Sequence, residues 1–310
     1  MSKPKVIVIG GATASGKTGL SIELAKKING EIISADSMQI YKDMDIGTAK
    51  VTTEEMQGVK HHLIDFVSPS HRYSVADFKK DADELIEAIL KRGKVPIIVG
   101  GTGLYIDSLI YSIEFGNVEV DEKYRNVLES IAQNEGLQNL YNLATEIDPD
   151  AMEKISKNDK KRIFRVLELY RQTGKTKTEQ EKNSRKNEVK YDFKVFAISM
   201  DREKLYERIN TRVDLMIERG LVDEVKGIIN KYDEFPTAMQ GLGYKEVVQF
   251  LEGKCSKQEM IDKIKIETRH YAKRQLTWFR KNKELVWLDA NNSLDENINI
   301  ILEAVSEKER

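Results

Sequence analysis

The sequence contains one cysteine, Cys255, among 310 residues. A single cysteine excludes an intrachain disulfide and a zinc site built on several cysteines. His61 and His62 have no third histidine or cysteine at ligand spacing, which argues against a metal site at that pair. No window approaches the roughly 18 apolar residues of a membrane span, and the N-terminal residues show no secretory signal pattern. These absences predict a cytoplasmic protein with no membrane association.

The chain also lacks a strong overall charge, since its formal net charge is −1. Locally the charge is uneven. Residues 154–194 hold 14 Lys and Arg against 6 Asp and Glu, and residues 265–283 hold 7 against 1. Such stretches occur on proteins that bind polyanions, but also on ordinary solvated helix faces. Charge alone leaves both interpretations open.

The strongest positive signal is GATASGKT, residues 11–18, directly after the apolar run KVIVIG. It matches the P-loop pattern between a predicted strand and a predicted helix. In such a loop, backbone amides and the helix N-terminus surround a phosphate, a lysine adds positive charge, and a threonine hydroxyl ligates Mg²⁺. The predicted phosphate-binding residues are Gly11, Ala12, Thr13, Ala14, Ser15, Gly16, Lys17 and Thr18, with Thr18 as the Mg²⁺ ligand and Mg²⁺ as the cofactor.

Short apolar runs alternate with amphipathic segments over both ends of the chain. Strands are predicted at 4–10, 31–36, 61–66, 94–101, 193–200 and 284–289, and helices at 17–28, 74–93 and 202–220. Alternating strands and helices indicate right-handed crossovers and a parallel sheet. Residues 115–191 contain helical patterns only. The sequence therefore predicts an α/β fold, with a P-loop parallel-sheet core at 1–114 and 192–310 and an all-helical insertion domain at 115–191.

One acid stands out near the P-loop. P-loop hydrolases usually hold Mg²⁺ with an acid at the end of an apolar strand, whereas the strand VPIIVGGTGLY runs into Gly-Gly-Thr. Asp36 instead follows the second strand. Ligands bind at the carboxyl ends of parallel strands, so Asp36, Thr102 and the P-loop are expected to face one cleft. This pattern favours group transfer to an acceptor over hydrolysis, although Asp is also a common turn residue.

Seven segments occur in an order typical of one family. They are GATASGKT, ISADSMQIYKDMDIGTAK, HHLIDFVSPSHRYSVADF, VPIIVGGTGLYIDSL, INTRVDLMIERGLVDEV, MQGLGYKEVV and RHYAKRQLTWFR. Together they resemble the tRNA dimethylallyltransferases, or tRNA isopentenyltransferases, over nearly the whole chain. The resemblance implies transfer of the dimethylallyl group of dimethylallyl diphosphate to N6 of the adenosine immediately 3′ of the anticodon. It also implies a monomer whose partners are tRNA and the diphosphate donor, held by the P-loop.

The resemblance assigns roles to individual residues. The implied catalytic residues are Asp36 as the base that takes the N6 proton, Arg212 on the leaving diphosphate, and Thr102 near the reacting centre. The implied tRNA contacts are Asp36, Ser37, Met38, Gln39, Thr102, Arg125, Lys161, Arg162, Arg165, Lys273 and Arg274. Lys161 replaces the glutamine usual in the family, so its role is less certain than those of its neighbours.

Three other functions compete with this one. An adenylate isopentenyltransferase would use the same donor and a free nucleotide, but it would need neither the helical insertion nor the basic C-terminal helix. In a small-molecule kinase, Asp36 would activate a hydroxyl while ATP donated phosphate. A non-catalytic RNA-binding protein would leave the pairing of P-loop and Asp36 unexplained.

Overall fold

The computed structural model describes residues 3–113, 121–184 and 188–306. The chain divides into two compact units, one formed by residues up to Ile110 and from Lys190 onward, the other by Tyr111–Val189. The predicted domain boundary at residues 114 and 115 lies outside the described residues. Within the described part of the chain, no helix is both long and apolar enough to cross a bilayer.

Six strands build the first unit. They are β1 (Lys5–Gly11), β2 (Gly30–Ser34), β3 (His61–His62), β4 (Val95–Val99), β5 (Asp192–Ser199) and β6 (Val286–Asp289). Their spatial order is β3-β2-β4-β1-β5-β6, and every neighbouring pair is parallel. The central strand β1 pairs over its whole length with β5, from Lys5 opposite Asp192 to Gly11 opposite Ile198. The predicted parallel α/β fold is confirmed.

Helices of the first unit cover both faces of this sheet. The bounds are α1 (Lys17–Ile28), α2 (Thr53–Met56), α3 (Val75–Lys91), α4 (Gly103–Ile110), α5 (Glu122–Asn134), α6 (Leu137–Ile147), α7 (Pro149–Met152), α8 (Lys160–Thr173), α9 (Lys177–Ser184), α10 (Arg202–Glu218), α11 (Leu221–Lys231), α12 (Tyr244–Leu251), α13 (Lys257–Phe279) and α14 (Leu294–Ser306), with a 3₁₀ turn at Ala238–Gln240. Of these, α5 to α9 belong to the helical unit.

Side chains that alternate in direction along β1 contribute to a hydrophobic core on each face of the sheet. Val6 and Val8 point into a core shared with α3 and α4, and Ile7 and Ile9 point into a core shared with α1 and α14. Because successive strand residues face opposite sides, a strand buried on both faces must be apolar at every position. The run VIVIG, residues 6–10, meets that requirement.

The helical unit has its own core. Leu128 of α5, Leu140 and Ala144 of α6, and Ile163 and Leu167 of α8 are all buried in it. Within α6 and α8 these residues are four positions apart, the spacing that places side chains on one face of an amphipathic helix. Its described residues contain no strand. Helix α9 was not predicted, since its residues are almost uniformly polar.

The prediction of a strand at 61–66 was wrong beyond His62. Leu63 and Asp65 both have φ of 57°, in the left-handed region, so the chain turns instead of extending. The Asp65 amide donates to the Gln39 carbonyl, and the Phe66 amide donates to the Ile40 carbonyl. The segment therefore folds back onto the loop after β2 and supports it.

A buried carboxylate, Glu31, lies near the amino end of β2. The Glu31 side chain is 3% exposed and meets three basic side chains: Arg92 Nη2 at 2.7 Å, His62 Nε2 at 2.8 Å and Lys94 Nζ at 2.9 Å. Burial alone would raise the pKa of Glu31, but these hydrogen bonds outweigh it and lower the pKa to about 2.

We predict that Glu31 makes the stability of this unit sensitive to acid. Its pKa lies below the unfolded value of 4.5, so its contribution is complete above pH 4.5 and is lost as pH falls toward 2. Glu31→Gln should cost on the order of 3 kcal/mol of unfolding free energy at pH 7, and the deficit should shrink toward pH 3. Urea unfolding followed by tryptophan fluorescence measures it, because Trp278 and Trp287 both lie in this unit.

The matched control is Glu23→Gln, whose ion pair with Lys26 is exposed. That variant should stay within about 0.5 kcal/mol of the wild type at every pH. A Glu31→Gln deficit that is independent of pH would contradict the charge-based account.

Candidate active site

A cavity of about 580 Å³ opens at the carboxyl edge of the sheet in the α/β unit. Its walls come from the β1–α1 loop, the loop after β2, the end of β4, helix α10, the segment 240–245 and helix α13. Among the predicted residues, it brings together Thr13, Ala14, Ser15, Gly16, Lys17, Thr18, Asp36, Ser37, Met38, Gln39, Arg212 and Arg274.

The β1–α1 loop has the backbone of a phosphate cradle. Ala14 and Gly16 take positive φ angles of 62° and 101°, and Gly16 caps α1 without any side-chain hydrogen bond. Left-handed residues within such a turn direct successive amides toward one point. The unsatisfied amides and dipole of a helix N-terminus favour an anion there.

Lys17 is folded back into this loop. Its Nζ donates to the carbonyls of Ala12 at 2.6 Å and Gly11 at 3.1 Å. Burial lowers the pKa of Lys17 to about 8, with Asp36 opposing the shift and Arg212 adding to it. A phosphate arriving beside the amine would restore its preference for the charged form.

Asp36 lies two residues beyond β2 and lines the cavity. Its Oδ1 accepts the amide of Met38 at 2.9 Å and the amide of Gln39 at 3.3 Å. Asp36 is therefore both a turn residue and a wall of the cleft. The two amides fix the carboxylate orientation, so proton acceptance from a ligand would fall to Oδ2.

Thr102 holds the loop that carries Asp36 through two hydrogen bonds. Its Oγ1 accepts the amide of Ser37 at 3.1 Å, and its own amide donates to the Ala35 carbonyl at 3.1 Å. Thr102 thus joins the end of β4 to the Asp36 loop, although it is not among the side chains that define the cavity wall.

Arg212 projects from α10 toward the cradle, as the resemblance implied, rather than into solvent. It lines the cavity, and its Nη1 donates to Thr13 Oγ1 at 3.4 Å. Burial lowers the pKa of Arg212, and the neighbouring charge of Arg208 adds to this effect. Lys17 and Arg212 therefore place two positive charges in the cleft that Asp36 also lines.

The predicted tRNA contacts divide between the two units. Arg274 of α13 lines the cavity, whereas the exposed Lys273 beside it is not part of the wall. In the helical unit, Lys161, Arg162 and Arg165 are exposed on α8. Arg125 instead makes a two-point ion pair with the buried Glu168, at 2.7 Å and 2.9 Å.

Sequence reasoning missed several wall residues, among them Tyr271 and Gln275 of α13. Both lie in RHYAKRQLTWFR, a segment that stands out in the sequence for its charge and for the family resemblance. Tyr271 and Gln275 are four residues apart and so share a helix face. That spacing could have placed Gln275 beside the cleft, but the sequence gives no sign of what its amide binds.

The described residues contain no group of three or more His, Cys, Asp or Glu side chains able to hold a metal ion. The cavity wall does offer oxygen donors at the Thr18 hydroxyl and the Asp36 carboxylate. Mg²⁺ prefers oxygen ligands and commonly completes its shell with substrate phosphates and water. The side chains present fit that pattern.

A P-loop, an acid after the second strand and a surrounding set of cations define a phosphate-handling enzyme of the P-loop α/β class. Residues 39–282 match the family model described as IPP transferase. The chain is 52% identical to a tRNA dimethylallyltransferase of Acetivibrio thermocellus, covering 94% of each chain. It is 51% identical to that of Carboxydothermus hydrogenoformans, covering 97% of each.

Among solved structures, a eukaryotic dimethylallyltransferase acting on tRNA superposes with a TM-score of 0.80 at 35% identity, covering 98% of this chain and 80% of that one. The chain belongs to the IPP transferase family.

We predict that Lys17 strengthens diphosphate binding in a pH-dependent way. At pH 7, Lys17→Met should weaken binding of inorganic diphosphate at least about tenfold, the usual effect of losing a charged hydrogen bond. Above pH 8 the wild-type amine must take up a proton on binding, so the wild-type advantage should shrink. Calorimetric titration of both proteins measures this, and their ratio cancels the ionisation of diphosphate itself.

Lys26→Met, at the far end of the same helix, is the control and should bind as the wild type does. An advantage of wild type over Lys17→Met that stays constant from pH 7 to 9.5 would disprove the assignment.

Proposed function

We propose that this chain transfers the dimethylallyl group of dimethylallyl diphosphate to N6 of the adenosine immediately 3′ of the anticodon in tRNA. One observation carries the proposal: a phosphate cradle and the Asp36 carboxylate line the same cleft. The names of the relatives support it, since two are tRNA dimethylallyltransferases and the solved structure acts on tRNA.

The donor diphosphate would occupy the cradle. As the carbon–oxygen bond breaks, negative charge develops on the leaving diphosphate, and preorganised positive groups stabilise it. Lys17 and Arg212 supply charged donors, and the amides of Gly16 to Thr18 supply the helix N-terminus. When bound, Mg²⁺ would add positive charge at the same oxygens, with Thr18 as its protein ligand.

The acceptor amine would enter from the side of Asp36. An exocyclic adenine amine is a weak nucleophile because its lone pair is delocalised into the ring. A carboxylate within hydrogen-bond reach can take its proton as the new C–N bond forms. The amides that hold Asp36 Oδ1 keep the carboxylate in one orientation, which favours this role.

The target base must leave its stack to reach such a cleft, which costs a few kcal/mol. Contacts to RNA offset that cost. Ser37, Met38, Gln39 and Arg274 lie in the wall and would meet the extruded nucleotide. Lys161, Arg162 and Arg165 are exposed on one helix of the other unit and would meet phosphates. We assign Arg125 to tRNA less directly, because Glu168 already engages its guanidinium.

A free-nucleotide acceptor is the main alternative, since it would use the same donor site. The helical unit and its exposed basic residues favour tRNA, because a mononucleotide needs neither. The proposed enzyme acts as a monomer, as the family resemblance implies.

The decisive experiment supplies labelled dimethylallyl diphosphate with either unmodified tRNA or AMP. Label should enter tRNA, and nuclease digestion with mass spectrometry should locate one added C5H8 unit on the adenosine 3′ of the anticodon. Label in AMP alone would show that the acceptor is a mononucleotide and not tRNA. Release of unincorporated C5 alcohol would indicate hydrolysis.

In the same assay, Asp36→Ala should lower the transfer rate about 10²–10⁴-fold, the usual cost of losing a general base. Affinity for tRNA should change little, because the other wall residues remain. Asp295→Ala, a change of an exposed aspartate on α14 outside the cleft wall, serves as the control. A near-wild-type kcat in Asp36→Ala would remove Asp36 from the mechanism.

A further inference from the structure

Gln275 of α13 is a buried polar residue at the back of the cleft. Its side chain is 5% exposed, and both ends of its amide are engaged. Oε1 accepts the Thr13 amide at 2.9 Å, and Nε2 donates to the Gly101 carbonyl at 3.0 Å. Buried amides are expensive to leave unpaired, so these two contacts define where both loops can lie.

The two bonded loops carry the two halves of the chemistry. Thr13 belongs to the phosphate cradle and also meets Arg212. Gly101 precedes Thr102, whose hydroxyl accepts the Ser37 amide directly after Asp36. A continuous chain of hydrogen bonds and peptide units therefore runs from the cradle through Gln275 to the Asp36 loop.

Helix α13 packs closely against the loop after β4 around Gln275. A Cβ added at Gly101 would lie 2.0 Å from Gln275 Nε2, and one added at Gly103 would lie 2.3 Å from the Trp278 ring. Trp278 also donates from Nε1 to Asp107 Oδ2 of α4 at 2.9 Å. Close packing of this kind transmits displacement instead of absorbing it. These contacts fix the position of helix α13 relative to the loop after β4 and to α4.

We propose that Gln275 is a positioning residue that sets the separation between the bound diphosphate and the Asp36 carboxylate. The inference rests on the proposed function. Gln275 touches neither the reacting carbon nor the amine; it holds the two loops that do. Since Arg274 and Tyr271 of the same helix line the cleft, RNA bound against α13 acts on the cradle through this amide.

The test uses two substitutions that separate the hydrogen bonds. Gln275→Glu keeps an acceptor for the Thr13 amide but places a second oxygen against the Gly101 carbonyl. Gln275→Met keeps the length of the side chain and removes both bonds. Thr277→Val is the matched control, because Thr277 is exposed on the same helix and its hydroxyl bonds only within it, to the Lys273 carbonyl.

The readouts are the single-turnover rate at saturating donor and tRNA, the Kd for tRNA and the thermal midpoint. A displacement of about 1 Å in a reacting group can cost about 100-fold in rate. Both Gln275 variants should therefore lose about 10- to 100-fold in saturated rate, with tRNA Kd within about twofold of wild type. Thr277→Val should match the wild type in all three.

A folded Gln275→Met or Gln275→Glu protein with the wild-type saturated rate would overturn the proposal, as would a rate loss fully explained by weaker tRNA binding. If Gln275→Met does not fold, the nearly isosteric Gln275→Glu decides. Failure of that variant to fold would assign Gln275 to stability alone. If the wild type itself does not modify tRNA, the proposed function fails instead, and the two failures are distinguishable.

Discussion

The parallel direction of all six strands is the constraint on which this molecule depends. Parallel strands bring their carboxyl ends to one edge, so the loops after β1, β2 and β4 must meet. Those loops carry the phosphate cradle, Asp36 and Thr102. Helices α10 and α13 then close the same edge from above with Arg212 and Gln275. The strand topology alone therefore brings the phosphate site and the acid into one cleft.

The cleft combines charges of both signs. Lys17 and Arg212 line it, and burial lowers the pKa of each, which disfavours the charged form in the absence of an anion. The Asp36 carboxylate is held by the backbone amides of Met38 and Gln39. An anionic leaving group and a neutral amine would each find the partner they need, which is why the arrangement suits group transfer better than hydrolysis.

Much of this could be predicted from sequence, because the signals were local. KVIVIG followed by GATASGKT defines a strand, a cradle and a helix within a few residues. The helix predicted at 74–93 spans Val75–Lys91, with Ser74 as its N-cap. The prediction of a strand at 61–66 was wrong because Leu63 and Asp65 adopt left-handed backbone angles. Nothing in the sequence of this segment indicates those angles. Polar α9 carried no periodic signal.

Contacts between residues distant in sequence were beyond such reasoning. Gln275 and Thr13 lie 262 positions apart, and the Arg125–Glu168 ion pair joins two helices across the helical unit's core. Arg212 illustrates the intermediate case. Long charged side chains are mostly exposed, and only the family resemblance indicated the cleft in which the structure places Arg212.

The central claim is that one cleft holds the donor diphosphate on the cradle with its first carbon directed at Asp36. A crystal structure with a non-reactive thio analogue of dimethylallyl diphosphate measures this directly. The account predicts diphosphate oxygens within hydrogen-bond distance, about 3 Å, of the Gly16 to Thr18 amides and Lys17 Nζ. It also predicts that the first carbon faces the Asp36 side, with room between them for an amine. Diphosphate bound elsewhere, or a C5 chain directed away from Asp36, would contradict it.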